Sequence, residues 1–274
     1  MKNINDTIYA LSTAHGKSAT AMFRISGPNS FKHINKFSNN MPKKPNQSAV
    51  NKIFDKNGLL IDVSVTTYFK KPKSYTGEDM VEISVHGSSA VIKKIIKLFR
   101  NTNDMRLADP GEFTRRSFEN NKLDLTQVEA IADLVESETE YQRKQAMGQL
   151  EGDLSKKTKK IFEEIKKILA NTEAIIDFSD EDLPKDIYKT IKEQTKNICK
   201  KINAILKNAE MGQRIRSGFV VSIIGKTNAG KSSFINNISN KEIAIVTNEP
   251  GTTRDLIESF VDLRGLPVIF YDTA

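Results

Sequence analysis

Cysteine and tryptophan are almost missing from this 274-residue chain, which has one cysteine, Cys199, and no tryptophan. A single cysteine excludes both an internal disulfide and a thiolate metal cluster. No run approaches the roughly 18 uninterrupted apolar residues of a membrane-spanning helix, so we predict no contact with a membrane. The first six residues have neither an apolar core nor an arginine-rich pattern, so we predict no targeting peptide. These absences are typical of a cytoplasmic protein in a reducing compartment.

Positive charge exceeds negative charge, because 42 Lys and Arg face 34 Asp and Glu, for a net charge of +8. This excess permits an RNA partner without requiring one, because a lysine-rich surface is usually only solvated. The hydrophobic share of 38% is low, but its regular spacing excludes a chain that is disordered throughout. The length predicts about two domains as a first expectation.

The first 120 residues predict an α+β domain. Strands are indicated by the apolar and β-branched segments Thr7–Leu11, Ala21–Ile25, Leu59–Phe69 and Met80–Val85, and a helix by Ala90–Phe99. Residues 39–51 contain two prolines and several asparagines, which predict a loop. His33 is predicted to lie on the surface.

Residues 121–217 predict a helical domain. Thr126–Glu129 matches a capping box, in which the two side chains would satisfy free N–H groups at a helix start. Apolar residues three and four apart indicate further helices over 150–176 and 187–209, and Pro184 is well placed to open the second. Such stripes predict antiparallel bundle packing, with Cys199 as a packing residue.

Residues 218–274 predict the first part of a parallel α/β domain. The segments Phe219–Ile224 and Pro267–Tyr271 are apolar and short, as buried strands are, and Asp272 follows the second. A helical segment is predicted over 233–238, and strand-like segments over 241–246 and 256–263.

A complete phosphate-binding motif lies between the first of these strands and the helix. Residues 225–232 read Gly-Lys-Thr-Asn-Ala-Gly-Lys-Ser, which fits G-x-x-x-x-G-K-[ST], a pattern expected by chance about once in a hundred chains of this length. In such a loop, backbone N–H groups surround the β-phosphate, Lys231 reaches the β- and γ-phosphates, and the Ser232 hydroxyl binds Mg²⁺.

Two downstream features agree with this motif. Gly251–Asp255 follows Lys231 at the distance where P-loop GTPases carry a mobile loop whose threonine, here Thr253, closes on Mg²⁺. Asp272 ends an apolar strand at the position of the acidic residue that holds Mg²⁺, usually through water. Each feature is weak alone, but at these spacings both support a nucleotide site.

Together with these motifs, the chain resembles the MnmE (TrmE) family of bacterial tRNA-modification GTPases along nearly its whole length. The matching blocks are Asp6–Ile8, Arg24–Pro28, Tyr75–Ile83, His86–Gly87, Arg106–Ala108, Pro110–Thr114, Asn121–Gln127, Ala130–Leu134, Asn228–Ser233 and Gly251–Asp255. Several of these blocks are distinctive of this family rather than of P-loop proteins at large.

The resemblance implies an N-terminal domain that forms a homodimer and binds 5-formyl-tetrahydrofolate or a related tetrahydrofolate. This domain is followed by a helical domain with a Ras-like P-loop GTPase domain inserted in it. The resemblance also implies an enzyme that hydrolyses GTP. With the FAD-containing partner MnmG (GidA), such enzymes install an aminomethyl-type group, such as carboxymethylaminomethyl, on the wobble uridine of tRNA. On this basis we place the domains at 1–120, 121–217 and 218–274.

The resemblance also implies site residues. The folate contacts of the family correspond to Arg24, Glu82 and Lys122. An arginine can pair with the glutamate tail of the folate, and a carboxylate can accept hydrogen bonds from the N–H edge of the pterin. The sequence does not assign these two roles to particular residues.

The resemblance also implies cation and nucleotide contacts. Mg²⁺ would be bound by Ser232 and Thr253. K⁺ would be bound by Asn228, Thr247, Glu249 and Thr252, where a cation neutralises developing phosphate charge. The implied GTP contacts are Asn228, Ala229, Gly230, Lys231, Ser232, Ser233, Thr247, Asn248, Glu249, Pro250, Gly251, Thr252, Thr253, Asp272, Thr273 and Ala274.

The chain departs from the family pattern in two places. Residues 15–20 stand where the family has a glycine-rich turn, and only Gly16 and the basic residue after it are kept. The sequence stops at Ala274, one residue before the glycine of D-x-x-G. We therefore expect a fragment that binds GTP weakly, with its catalytic residue beyond Ala274.

Two other functions stay open from the sequence. The chain could belong to a P-loop GTPase switch in ribosome or RNA assembly, or act only as a folate-binding dimer scaffold. The first 120 residues favour the tRNA-modification enzyme, because their blocks match its folate-binding domain and no RNA-binding module.

Overall fold

A computed structural model of the chain describes residues 6–177, 186–226, 229–241 and 258–272. The chain divides into two compact units, residues 1–124 and 125–274. Among the helices so described, none is both long enough and apolar enough to cross a membrane.

A six-stranded sheet forms the basis of the first unit. Its strands are β1 (Thr7–Leu11), β2 (Ser18–Ser26), β3 (Gln47–Phe54), β4 (Leu60–Phe69), β5 (Met80–Gly87) and β6 (Met105–Leu107). They lie in the order β3-β4-β5-β2-β1-β6. The β1–β6 pair is parallel, and the other neighbouring pairs are antiparallel.

Three helices complete this unit: α1 (Ser30–Asn35), α2 (Ser89–Arg100) and α3 (Glu112–Glu119). Helix α2 begins after Ser88, whose hydroxyl accepts a hydrogen bond from the Val91 N–H at 3.2 Å. The apolar face of α2 is buried in the core of the unit, where Phe99 meets Tyr9 and Phe23 edge to face, with ring centroids 5.2 and 5.9 Å apart. This core is continuous and buries most of its large apolar side chains.

The second unit begins with four helices: α4 (Leu125–Val135), α5 (Glu140–Leu150), α6 (Asp153–Asp177) and α7 (Ile187–Ser217). It continues with β7 (Phe219–Ile223), α8 (Lys231–Lys241), β8 (Glu258–Leu263) and β9 (Leu266–Asp272). Strand β9 lies between the other two, parallel to β7 and antiparallel to β8. The predicted order of an α+β region, a helical region and an α/β region is confirmed.

Most predicted strands and helices occur where the sequence pattern placed them, including β1, β2, β4, β5, α2, β7 and β9. The prediction of a loop over 39–51 is wrong at its end, because β3 begins at Gln47 and pairs with β4. The capping box at Thr126 is also misplaced, since α4 already begins at Leu125. The capping box that the structure contains joins Thr139 and Gln142 at the start of α5.

Further predictions fail on side-chain environment. His33 is buried and Cys199 is exposed, whereas we expected His33 on the surface and Cys199 in the packing of the helices.

The sheet of the third region is mixed rather than fully parallel, because β8 runs antiparallel to β9. The strand-like segment 241–246 begins at the last residue of α8, and its other residues lie outside the described part of the chain.

The apolar stripes of α6 and α7 are less covered than bundle packing predicts. None of the described residues of α6 is fully buried, and Phe162 and Leu169 remain 60% and 54% exposed. On α7 only Ile198 is buried, while Leu206 is exposed. The two helices pack against each other, but much of their apolar surface faces solvent within the described residues.

Candidate functional site

Arg24 and Glu82, two of the three predicted folate contacts, lie directly opposite each other on neighbouring strands. Arg24 of β2 pairs in register with Glu82 of β5. Its Nε and one terminal nitrogen donate to the same Glu82 oxygen, at 2.9 and 2.8 Å. Both side chains stay partly exposed, at 24% and 19%. The pair therefore offers one cationic and one anionic hydrogen-bonding group at an accessible place on the sheet.

Two aromatic rings lie against the Arg24 guanidinium. The guanidinium carbon is 4.9 Å from the centre of the Tyr75 ring and 5.8 Å from that of Phe113. Both distances are within the range of cation–π attraction, which favours this position of the guanidinium. Arg24, Glu82 and these rings form the surface that we call the arginine corner.

The loop that carries Tyr75 is fastened to α3. The Tyr75 hydroxyl lies 2.8 Å from the Thr114 hydroxyl, and the Ser117 hydroxyl donates to the Tyr75 carbonyl at 2.7 Å. Gly77 has φ of +79° and would place a Cβ 2.9 Å from the Asn120 side chain. Glycine is therefore required here both by the backbone conformation and by the close approach of Asn120, the residue that follows α3.

Five charged residues beneath this loop form a network of ion pairs. Arg116 is 2% exposed and bonds to Asp6 at 2.7 Å, Glu78 at 3.0 Å and Glu112 at 3.1 Å. Arg106 adds contacts to Glu112 at 2.6 Å and to Asp6 at 2.5 Å. Because a buried charge is costly unless it is paired, the network fixes α3 relative to the strands and the loop.

The electrostatic effect of this network is clearest at Glu112. Burial alone would raise the pKa of this carboxyl, but hydrogen bonds from Arg106, the Asp109 N–H and Arg116 lower it to about 2. The pKa of Asp6 is also lowered, because the same two arginines outweigh its burial. Both groups are therefore ionised throughout the physiological pH range.

Lys122, the third predicted folate contact, is attached to the same loop. Its Nζ donates to the Pro72 carbonyl at 3.0 Å, and its side chain passes beside Gly77. The structure thus places Lys122 against the Pro72–Gly77 loop that also carries Tyr75. Its ammonium group is exposed and can exchange this carbonyl for an anionic group.

The phosphate-binding motif connects β7 to α8 as predicted. Lys231 is the first residue of α8, so the N-terminus of this helix opens at the loop. Gly230, the motif glycine before it, has φ of +83°, a conformation that favours glycine. The Lys231 Nζ donates to the carbonyls of Gly225 and Lys226, at 3.0 and 3.1 Å. The lysine that is predicted to contact phosphate therefore binds its own loop in this structure.

The strand that precedes this loop is poorly covered. Val220 and Val221 of β7 are 63% and 40% exposed, and Ile224 is 86% exposed. Asp272 is the last residue of β9 and pairs in register with Ile223 of β7. The backbone of Asp272 therefore lies at the same edge of the sheet as the phosphate-binding motif.

The remaining predicted nucleotide and cation residues lie outside the described part of the chain. These are Asn228, Thr247, Asn248, Glu249, Pro250, Gly251, Thr252, Thr253, Thr273 and Ala274, and the side chains of Ser232 and Asp272 are likewise not described. Within the described ranges, no group of three His, Cys, Asp or Glu residues could hold a metal ion.

The sequence analysis assigned no role to Tyr75, Phe113 or the network around Arg116. All except Arg116 lie in blocks that carry the family resemblance, and that was the available signal. Many of their contacts join residues 38 to 110 positions apart, such as Arg116 with Glu78 and with Asp6. Short-range patterns contain no information on such contacts.

Comparison with known proteins identifies two matching family models. The model described as GTP-binding protein TrmE N-terminus matches residues 7–122, and the model described as MnmE helical domain matches residues 125–266. The second alone covers more than half of the chain.

Curated relatives agree with these matches. Proteins named tRNA modification GTPase MnmE from Pelagibacter ubique (strain HTCC1062), Rickettsia prowazekii (strain Madrid E) and Aquifex aeolicus (strain VF5) are 45%, 43% and 41% identical to this chain. The matches cover 98%, 98% and 99% of this chain, but 61%, 61% and 60% of the relatives' own lengths. The chain thus spans about three fifths of the length of these relatives.

Proposed function

Because this chain belongs to the MnmE family, also called TrmE, we propose that it acts in the GTP-dependent modification of tRNA in the cytoplasm. The modification is the addition of an aminomethyl-type group to the wobble uridine, carried out with the FAD-containing partner MnmG. The observation that carries the proposal is the arginine corner, which combines the family's folate-contact residues with two aromatic rings in an accessible position.

We assign folate binding to the arginine corner and Lys122. The Arg24 guanidinium can exchange Glu82 for a carboxylate of the folate glutamate tail, as Lys122 can exchange the Pro72 carbonyl. Glu82 is then free to accept hydrogen bonds from the N–H groups of the pterin edge. The flat aromatic surfaces of Tyr75 and Phe113 suit a planar ring system. A tetrahydrofolate bound here would carry the one-carbon unit that the modification uses.

We assign GTP binding to the loop before α8. Lys231 leaves the carbonyls of Gly225 and Lys226 and binds the β- and γ-phosphates, while the N-terminus of α8 adds backbone N–H groups. Ser232 and Thr253 are the proposed Mg²⁺ ligands. Asn228, Thr247, Glu249 and Thr252 are the proposed K⁺ ligands. These cations supply charge neutralisation for phosphate hydrolysis.

We further propose that the first unit forms a homodimer. Strands β3 and β4 expose Val50, Val63 and Val65, at 67%, 42% and 46%. Strand β3 is the edge strand of the sheet and β4 is its neighbour, and exposed apolar residues at this end of the sheet favour association with a second copy of the chain.

The alternative function is a P-loop GTPase switch in ribosome or RNA assembly, and one experiment separates the two. Deletion of the gene removes the aminomethyl-type group from the wobble uridine, measured by mass spectrometry of digested tRNA. Re-expression of the intact gene restores it, whereas re-expression with Lys231→Ala does not. Unchanged tRNA with an altered ratio of ribosomal subunits contradicts the proposal and supports the alternative.

A further inference from the structure

One face of helix α7 carries six basic residues, with Asn203 and Glu210 as the other members of the same arc. The six basic residues, which we call the α7 stripe, are Lys189, Lys192, Lys196, Lys200, Lys207 and Arg214. They follow one another at intervals of three, four or seven residues, so at about 100° per residue they fall within an arc of roughly 80°. With a rise of about 1.5 Å per residue, the stripe extends for about 38 Å along the helix.

The stripe lies opposite the apolar face of the same helix. Ile191, Ile198 and Ile205 recur every seven residues, and their mean direction is about 160° from that of the stripe. Ile198 is buried, whereas all six stripe residues are exposed. The packing of α7 therefore turns the stripe away from the buried side of the helix and towards solvent.

The six charges have no carboxylate partners among the residues that the structure describes. Other basic residues of the same helix do, because Lys201 pairs with Glu164 at 2.6 Å and Arg216 with Asp133 at 2.8 Å. Like charges three and four residues apart on a helix repel one another. Within α7, only Glu193 and Glu210 lie three or four residues from stripe members and can offset this repulsion.

The positive charge is also segregated within the second unit. Helix α7 contains eight basic and two acidic residues, a net charge of +6. The rest of residues 125–274 contains 14 basic and 21 acidic residues, a net charge of −7. A solvated surface of average composition would mix the two signs, whereas a site for a polyanion concentrates one of them.

We propose that the α7 stripe binds the phosphate backbone of tRNA. This inference rests on the proposed function and adds the surface on which the RNA lies. A straight row of single charges spaced by about 4.5 to 10.5 Å suits the regular phosphates of a nucleic acid backbone. Lysine binds phosphate as a point charge and reads no base, so the stripe contributes affinity and orientation rather than sequence specificity.

The chemistry of the stripe favours RNA over a lipid surface. A helix that binds a membrane inserts bulky apolar residues beside its basic ones. On α7, Tyr188, Leu206 and Met211 are exposed near the edges of the stripe, but they are separated by 18 and five positions and form no continuous apolar face. The isoleucines that recur every seven residues lie on the opposite side and include the buried Ile198. Within the arc of the stripe, all residues other than Asn203 and Glu210 are lysine or arginine, so binding depends mainly on charge and is sensitive to salt.

The test is the salt dependence of tRNA binding by the 274-residue chain. We compare the intact chain with a stripe variant in which Lys192, Lys196, Lys200 and Lys207 are replaced by Gln. The probe is an unmodified tRNA transcript, and the affinity is measured from about 50 to 300 mM KCl. Each lost phosphate contact lowers the slope of log K against log salt by about 0.7 to 0.9, so four lower it by about 3. At about 150 mM salt, we expect affinity to fall at least about tenfold.

Two further variants serve as controls. A variant with Lys→Gln at four exposed lysines of the first unit removes the same charge and is expected to keep the slope; the positions are Lys17, Lys32, Lys43 and Lys44. A variant with Lys→Arg at the four stripe positions keeps the charge and is also expected to keep the slope. Circular dichroism and thermal unfolding verify that all variants are folded, since Gln and Lys have similar helix propensity.

Three results would overturn the inference. Equal slopes for the stripe variant and the first-unit variant show that the stripe does not contact RNA, while leaving the proposed function intact. Binding of anionic phosphatidylglycerol vesicles but not of tRNA shows that the partner is a lipid surface. The inference is also wrong if the chain binds no tRNA at all. In that case the assay of the wobble uridine in the deletion strain tests the proposed function separately.

Discussion

The two units of this chain differ in how completely they satisfy their apolar and charged groups. In the first unit, Phe23 and Phe99 are buried in one continuous core, and the buried Arg116 has three carboxylate partners. In the second unit, Phe162 and Leu169 are more exposed than buried, and the α7 stripe is unpaired among the described residues. We infer that the first unit is stable by its own contacts, whereas the second presents surfaces that are suited to partners.

Replacement of one phenylalanine in each unit tests this difference most strongly. We expect Phe99→Ala to lower the free energy of unfolding by about 3–5 kcal/mol, because it leaves a cavity beside Tyr9 and Phe23. The matched change Phe162→Ala, at an exposed ring, should cost about 1 kcal/mol or less. Urea unfolding with hydrogen exchange as the local readout measures both. Equal costs for the two variants contradict the comparison.

Stability in acid offers a second test of the difference between the two units, because each unit has a glutamate whose pKa is lowered to about 2. Glu112 is buried among arginines, whereas Glu140 is exposed and owes its low pKa chiefly to Arg143. A carboxyl whose folded pKa lies below its unfolded value of 4.5 stabilises the fold above pH 4.5. That stability is lost as the pH falls towards 2.

For Glu112 the loss amounts to about 3 kcal/mol over that interval. We therefore expect Glu112→Gln to flatten the dependence of the unfolding free energy on pH between 4.5 and 2. Glu140→Gln should leave it nearly unchanged, because solvent screens an exposed pair. The measurement is urea unfolding at a series of pH values. If Glu112→Gln does not flatten the dependence of the unfolding free energy on pH, the buried network is not what stabilises the first unit.

The parts of the fold that could be predicted from the sequence are those with a local signal. Alternation of apolar and polar residues located β5, and a complete P-loop motif located the connection from β7 to α8. The end of the 39–51 segment was mispredicted because Pro42 and Pro45 dominate its composition, while pairing with β4 decides the structure of its last residues. Tertiary contacts override local preference in such cases.

The site was predictable only as residue types. The resemblance supplied Arg24, Glu82 and Lys122, and the cross-strand register then brings the first two together. The rings that flank Arg24 come from a loop and from α3, which are distant in sequence. His33 shows the same limit: it is buried, and neither ring nitrogen has a hydrogen-bond partner among the described residues. A polar residue in a polar segment gives no sign of such burial.

The most direct test of the account is a pair of calorimetric titrations on the same 274-residue chain. We expect 5-formyl-tetrahydrofolate to bind, because the arginine corner is assembled within the first unit. Arg24→Ala and Glu82→Ala should each weaken this binding by about ten- to a hundredfold, which is the usual worth of one charge-assisted hydrogen bond. Arg100→Ala, at an exposed arginine of the same unit, should leave it unchanged.

In the second titration we expect GTP to bind weakly or not at all. Lys231 is held by the carbonyls of its own loop, and the strand before that loop is largely exposed. Folate binding that depends on Arg24 and Glu82, together with weak GTP binding, is the predicted result. Folate affinity that is unchanged in both variants, or tight GTP binding with no folate binding, would contradict the account.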